Sequence, residues 1–167
     1  MTPAELKTIL ESLGLTLEWL ARQSGVTLKT AQYWESGEKS VPDNVIKMLE
    51  KINQNFEESV QGTISMVAHI SRARNQKPEW IDQVRYRNDM DLWRHRPDMA
   101  PLPAKAHAAK LSRLQRDLHK MGIVLRIVYF DPVDYDVWLK DEDEEDSEAM
   151  RSAWATLQLT KSSSDNL

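Results

Sequence analysis

Apolar residues recur three and four positions apart along most of this chain, and that spacing predicts helices. Leu6, Ile9, Leu10 and Leu13 form the first stripe; Thr2, Pro3 and Glu5 precede it as a T-x-x-E capping box with proline at the first helical position, and Gly14 ends it. Thr16 can cap a second, short helix carrying Leu17, Leu20 and Ala21 and closing at Gly25, and Thr27 can cap a third that stops at Gly37. Pro42 and Asp43 open a fourth. Its stripe of Val45, Leu49, Ile52, Phe56, Val60, Ile64 and Val67 predicts a single helix over about 43–74, with Gly62 as its weak point.

The period then changes. Trp80 to Arg87 alternates, with Val84 and Tyr86 on one side and Arg85 and Arg87 on the other, which predicts a half-exposed strand. Asn88 or Asp89 can cap the short helix MDLWR, and Pro97, Pro101 and Pro103 break the chain into a loop. Ala104 to Met121 reads as an amphipathic helix with Ala108, Leu111, Leu114, Leu118 and Met121 inward, ended by Gly122. Ile123 to Phe130 is rich in β-branched and aromatic residues and predicts a mostly buried strand, after which Asp131-Pro132 opens a helix with Val133, Val137 and Trp138. Strand, helix, strand is a crossover pattern that makes the two strands parallel. Two strands make a poor sheet, so this half is expected to complete its sheet or its core with a second copy of the chain, as a homodimer. Beyond Lys140 the acidic run Asp141 to Asp146 and the polar end SSSDNL are expected to be mobile, with a short helix around Met150 to Leu159.

Composition changes the picture mainly by exclusion. With 41% hydrophobic and 29% charged residues the chain is a soluble globular mixture. The longest apolar run, Ile123 to Phe130, is interrupted by Arg126 and no basic, apolar leader is present, so neither secretion nor a membrane span is expected and the cytoplasm is the expected compartment. The absence of cysteine removes disulfides, thiolate nucleophiles and cysteine-ligated zinc. His69, His95, His107 and His119 fall in no metal-ligand spacing, and Asp141 to Asp146 lacks the glycine of a calcium loop, so no metal is expected. Without a glycine-rich phosphate loop or a G-x-S-x-G turn, neither a cofactor nor an enzyme is expected.

Charge is divided unevenly along the chain. Residues 1–62 hold 6 Lys+Arg against 9 Asp+Glu, residues 63–130 hold 13 against 6, and residues 131–167 hold 3 against 11. The whole-chain value of −4 therefore describes no single surface.

The chemistry that stands out is in Gly25 to Gly37, GVTLKTAQYWESG. Two short helices crossing steeply can bury Leu20, Ala21, Val26, Ala31 and Trp34, while Gly25 permits the sharp turn. Leu28, Lys29, Gln32 and Tyr33 then fall on the opposite face, toward the exposed N-terminal half of the third helix. Lysine and glutamine alone would describe a solvated face, but Leu28 and Tyr33 would then be exposed for no packing reason. In a helix-turn-helix protein that end of that helix enters the major groove.

Leu20-Ala21, Gly25, Thr27, Ala31, Trp34-Glu35-x-Gly37 and Pro42 resemble the phage-repressor helix-turn-helix proteins, the Cro and lambda repressor or XRE type, over about Pro3 to Ile52. Members often pair the glutamate matching Glu35 with an arginine of the first helix, where this chain has only Lys7 as a cation. The resemblance implies a recognition helix: Gln32 for bidentate contact with adenine, Lys29 for guanine, Leu28 for a thymine methyl and Tyr33 for either kind of contact. Thr16, Leu17, Arg22, Thr27, Ser36 and Lys39 would meet phosphates. Further along, VRYRNDMDLWRHRPDM, PLPA and RIVYFDPVDYDVWL resemble the second half of bacterial proteins that join such a head to an α/β domain, some of whose relatives are autorepressors associated with anti-CRISPR operons.

The expected architecture is mainly α with a small α+β part: a lambda-repressor-like helix-turn-helix domain at 1–52, a connecting helix at 53–75, an α+β dimerisation domain at 76–140 and an acidic, partly disordered tail at 141–167. The expected function is a dimeric, sequence-specific regulator of transcription on double-stranded DNA, most simply a repressor reading half-sites about 34 Å apart. The alternative is single-stranded RNA binding by the second half, with the arginines of RYR and WRHRP on phosphates and Tyr86 or Trp93 stacked on bases.

Overall fold

The computed structural model describes residues 1–164 and is mainly helical, with a small two-stranded sheet. The helices are α1 (Pro3–Ser12), α2 (Leu17–Gln23), α3 (Leu28–Ser36), α4 (Asp43–Arg74), α5 (Asp89–His95), α6 (Ala104–Lys120), α7 (Pro132–Asp141) and α8 (Glu148–Ser164); the strands are β1 (Trp80–Arg85) and β2 (Val124–Tyr129). The chain divides into two compact units, Met1–Thr63 and Ile64–Leu167, with the boundary inside α4. That helix is continuous for 32 residues, about 48 Å at 1.5 Å per residue, and Gly62 does not interrupt it.

The first unit follows its apolar stripes. Thr2 and Glu5 close the capping box reciprocally, with the Thr2 amide 2.6 Å from Glu5 Oε2 and the Glu5 amide 3.2 Å from Thr2 Oγ1. Leu6, Leu10, Leu13, Leu20, Ala31, Trp34, Val45 and Leu49 are buried, and Trp19 joins them. Ser24 to Thr27 link α2 to α3. Gly25 adopts φ 66°, the left-handed region that any side chain would strain, and Val26 N–H returns to Ala21 O at 3.0 Å.

In the second unit β1 and β2 pair in parallel, Trp80 opposite Val124 through Arg85 opposite Tyr129, with α6 as the crossover. Both α6 and α8 pack on this sheet. The strand at Ile123 to Phe130, expected to be mostly buried, is instead half open: Leu125 is buried, whereas Val124, Ile127 and Tyr129 are exposed. Along α6 the inward face also differs from expectation. Ala108 and Met121 are only half-buried, and His107 and Lys110 take buried positions beside Leu111, Leu114 and Leu118. On α7 the buried residue is Tyr135, and Val133 and Val137 face solvent.

The largest departure is the tail. Instead of a mostly mobile segment, residues 148–164 form a 17-residue helix, longer than the short one expected, with Arg151, Trp154 and Ala155 buried. Polar contacts hold it: Ser152 Oγ donates to Asp82 O at 2.7 Å, Thr156 Oγ1 to Asp82 Oδ2 at 2.8 Å, and the Trp154 indole and Gln158 amide to Asp134 Oδ2 at 2.8 Å each. The acidic run is not wholly free either, because Asp146 accepts from Arg151 and from the Tyr135 hydroxyl. The last part of the polar end, residues 165–167, lies outside the described residues.

Candidate nucleic-acid interface

Helix α3 is fixed at both ends by its own sequence. Thr27 Oγ1 accepts from the Thr30 amide at 3.2 Å, and Gly37 closes the helix with φ 82°, where an added Cβ would also approach Pro3 Cγ to 3.1 Å. Ala31 and Trp34 are buried, which turns the other side of the helix outward. Leu28 is 37% exposed, Lys29 and Gln32 are exposed, and Tyr33 is half-buried. Three of the four residues assigned to base readout therefore lie open on one helix face. Tyr33 is different: Lys29 Nζ stands 5.9 Å and Lys39 Nζ 5.2 Å from its ring centre, so it ties two cations together as well as offering an edge. Periodicity gives no sign of the Lys39 contact, because Lys39 lies past the end of α3.

The residues assigned to phosphates are more varied. Thr16, Arg22, Thr27, Ser36 and Lys39 are exposed and Leu17 is half-buried. Among the described residues, the amides of Leu28 and Lys29 have no intramolecular acceptor, as the first turn of a helix leaves them. Thr16 Oγ1 accepts from the Trp19 amide at 3.1 Å. Glu18, exposed in the first turn of α2, has its carboxyl held below the usual range by its own backbone amide and by the Thr16 hydroxyl. A carboxylate therefore already stands where a phosphate was expected, a competitor that the capping pattern did not reveal. Ser36 Oγ donates within 3.4 Å of Tyr33 O and 3.3 Å of Glu38 Oε1. Glu35 is exposed and, among the described residues, makes no ion pair.

In the second unit the two aromatics assigned to RNA stacking are occupied elsewhere. Tyr86 is 3% exposed, its ring packed against His107 and Phe130, so it cannot stack on a base there. Trp93 is half-buried and its indole N–H donates to Leu102 O at 2.7 Å. The exposed aromatics are Trp80, at 46%, with Arg126 4.5 Å from its ring centre, and Tyr129, at 48%, with Arg87 3.9 Å and Arg85 5.9 Å from its ring centre. Tyr129 lies in a strand read as buried, which did not suggest it.

Among the described residues no helix is long and apolar enough to cross a membrane. No curated protein matches the chain. The model of one family, described as Aca2/YdiL-like, matches residues 1–121, which takes in α1 to α6 and β1 and leaves β2, α7 and α8 outside. With a match across well over half its length, the chain belongs to the Aca2/YdiL-like family.

Proposed function

We propose that this protein is a dimeric, sequence-specific DNA-binding regulator of transcription linked to anti-CRISPR genes, a repressor of a palindromic operator, with α2 and α3 as its helix-turn-helix. The observation that carries this reading is the face of α3: Leu28, Lys29 and Gln32 open to solvent beside one another, on a helix held by buried Ala31 and Trp34. A leucine left 37% exposed there has apolar surface still open, which a thymine methyl can cover. Gln32 takes the bidentate contact, Lys29 and Lys39 bracket Tyr33 near the backbone, and the unpaired amides at the start of α3 face a phosphate. The family membership supports a regulator.

The second unit supplies the dimer contact. Met90, Val133 and Val137 are 73%, 74% and 59% exposed, and Arg94, one turn beyond Met90, bonds Asp136 beside Val137 at 2.6 Å. That bond joins α5 to α7, and the exposed Met90, Val133 and Val137 offer apolar surface for a second copy.

A selection of bound duplexes from a random pool defines the operator. On that operator Gln32→Ala costs about 1–3 kcal/mol and relaxes discrimination at one base step, while Lys39→Ala weakens all sequences alike and makes the salt slope shallower by about 1. Equal losses on operator and random duplex for Gln32→Ala would take it out of the readout and overturn the reading.

A further inference from the structure

In the second unit, three cations stand around one small cavity without an ion-pair partner of their own. The cavity, of about 250 Å³, is lined by Arg85, Tyr86, Arg87, Ala104, Lys105 and Tyr129. Arg85, Arg87 and Lys105 are all exposed, and among the described residues none of them makes an ion pair. The Asp89 carboxylate accepts from the Ala104 amide at 2.7 Å and keeps its charge at the edge of the cavity, where the three cations outnumber it, and Asp82 takes both Arg126 bonds at 2.6 and 2.7 Å. The end of α6 is therefore already satisfied by Asp89, and the attraction in the cavity comes from side chains.

Arg87 is also held in place. It lies 3.9 Å from the ring centre of Tyr129, so stacking restricts its guanidinium group before any ligand arrives, and Arg85 stands 5.9 Å from the same ring. Two guanidinium forks and an ammonium match the several oxygens and double charge of a phosphate monoester better than the single charge of a carboxylate. Tyr129 and Arg87 also border a second cleft, of about 510 Å³, but Asp91, Asp131 and Asp134 line it and repel an anion. Arg85 and Lys105 line the smaller space and not the larger, and the smaller lies below the 300 Å³ or so of a drug-sized site and holds a phosphate with a sugar-sized remainder rather than a polymer.

We propose that Arg85, Arg87 and Lys105 bind the phosphate of a small phosphomonoester, with the exposed ring of Tyr129 against the rest of the ligand. This site is separate from α3 and does not rest on the DNA-binding reading.

Calorimetric titration of the full-length protein tests it, with inorganic phosphate, ribose 5-phosphate, a nucleoside 5′-monophosphate and unphosphorylated ribose as probes. One equivalent of ribose 5-phosphate binds and ribose does not. Lys105→Glu weakens the phosphates by at least about tenfold. Tyr129→Leu weakens ribose 5-phosphate more than inorganic phosphate. Both positions are exposed, and an unchanged thermal midpoint verifies that the variants fold. No heat from any phosphate at millimolar concentration, or binding indifferent to Lys105→Glu and Arg87→Glu, overturns the proposal. So does binding of a single-stranded oligonucleotide that Lys105→Glu and Arg87→Glu abolish and that ribose 5-phosphate fails to displace, which would give these cations to nucleic acid. Operator affinity measured alongside is unchanged by Lys105→Glu; a loss there would place Lys105 on the duplex and likewise overturn the site, whereas failure of the native protein to bind any duplex bears on the regulator reading alone.

Discussion

The two units solve the burial problem in opposite ways. Within residues 1–63 the buried residues are apolar, Thr2, Thr16 and Thr27 cap helix ends, and the Ser24 hydroxyl is a buried polar atom without a partner. Within the second unit Asp82, His95, His107, Lys110 and Arg151 are buried together with the aromatic group of Tyr86, Phe130, Tyr135 and Trp154. An apolar interior tolerates small misfits, at the cost of a cavity. A polar interior costs stability wherever a member is left unpaired, as the Tyr86 hydroxyl and His107 Nδ1 are, and the loss of one partner strands another. The second unit should accordingly be the more fragile to single substitutions and to acid.

The largest effect is expected at Trp154, which is 2% exposed and packs edge-on against Phe130 and Tyr135 while its indole bonds Asp134. Trp154→Ala should destabilise by about 3–5 kcal/mol, read from urea unfolding, with loss of amide protection concentrated after residue 64. Protection lost evenly across both units would break the contrast.

Next comes Asp82, 4% exposed and bonded to Arg126, Thr156 and, through its carbonyl, Ser152. Asp82→Ala should cost about 3 kcal/mol, because it leaves the Arg126 charge without its carboxylate and removes a strut under α8. In a double-mutant cycle, Arg126→Ala should cost much less in the Asp82→Ala background than in the native chain. Additive losses would mean that the pair is a surface contact in all but appearance.

The acid response comes third. Burial first, and then the charges of Lys110, Arg96 and Arg151, press His107 from 6.5 down to about 3. The folded protein keeps this ring neutral while the unfolded chain protonates it, so between pH 6.5 and about 3 the unfolded state binds the extra proton and stability falls as pH falls. At pH 5 the loss from this one group is about 2 kcal/mol, at 1.36 kcal/mol per unit below 6.5. Asp98, whose carboxyl Arg96 holds below its usual range, adds to the loss at the lower end of that window. His107→Phe should flatten the limb between pH 6.5 and 5 in acid unfolding followed by circular dichroism; an unchanged limb would show that His107 is already satisfied by a proton in the fold.

How much of this was legible in the sequence follows the same division. The α1 to α4 boundaries could be read because capping box, caps and closing glycines are local signals within four residues of what they control. In the second unit the elements could be read but not their inward faces. What turns His107 and Lys110 inward on α6 and holds α8 on the sheet is contact between residues far apart in sequence, such as Ser152 with Asp82, 70 positions away, or Trp154 with Asp134, 20 away. Hydrophobic periodicity cannot carry such information, since it scores lysine, arginine and aspartate as solvent-seeking wherever they fall. The same blindness hid Tyr129, exposed inside an apolar run, and Glu18, which reads as ordinary first-turn acid.

The smallest expected effect lies back in the head and uses Glu18 to sharpen the comparison from its other side. Glu18 is fully exposed and stabilised only by its own amide and the Thr16 hydroxyl, so its removal should leave the apolar core of the first unit undisturbed and the thermal midpoint nearly unchanged. If the start of α2 lies against the DNA backbone, that carboxylate repels it, and Glu18→Gln should raise affinity a few-fold for operator and random duplex alike, most at low salt, because phosphates are sequence-blind and the repulsion is screened. A gain confined to the operator would move Glu18 onto the bases. No gain at any salt would take the N-terminus of α2 off the backbone and leave α3 to make the contact with its own flanks, Thr27 and Lys39. The measurement thus separates the two halves of the proposed interface without touching a residue that either unit needs for its fold.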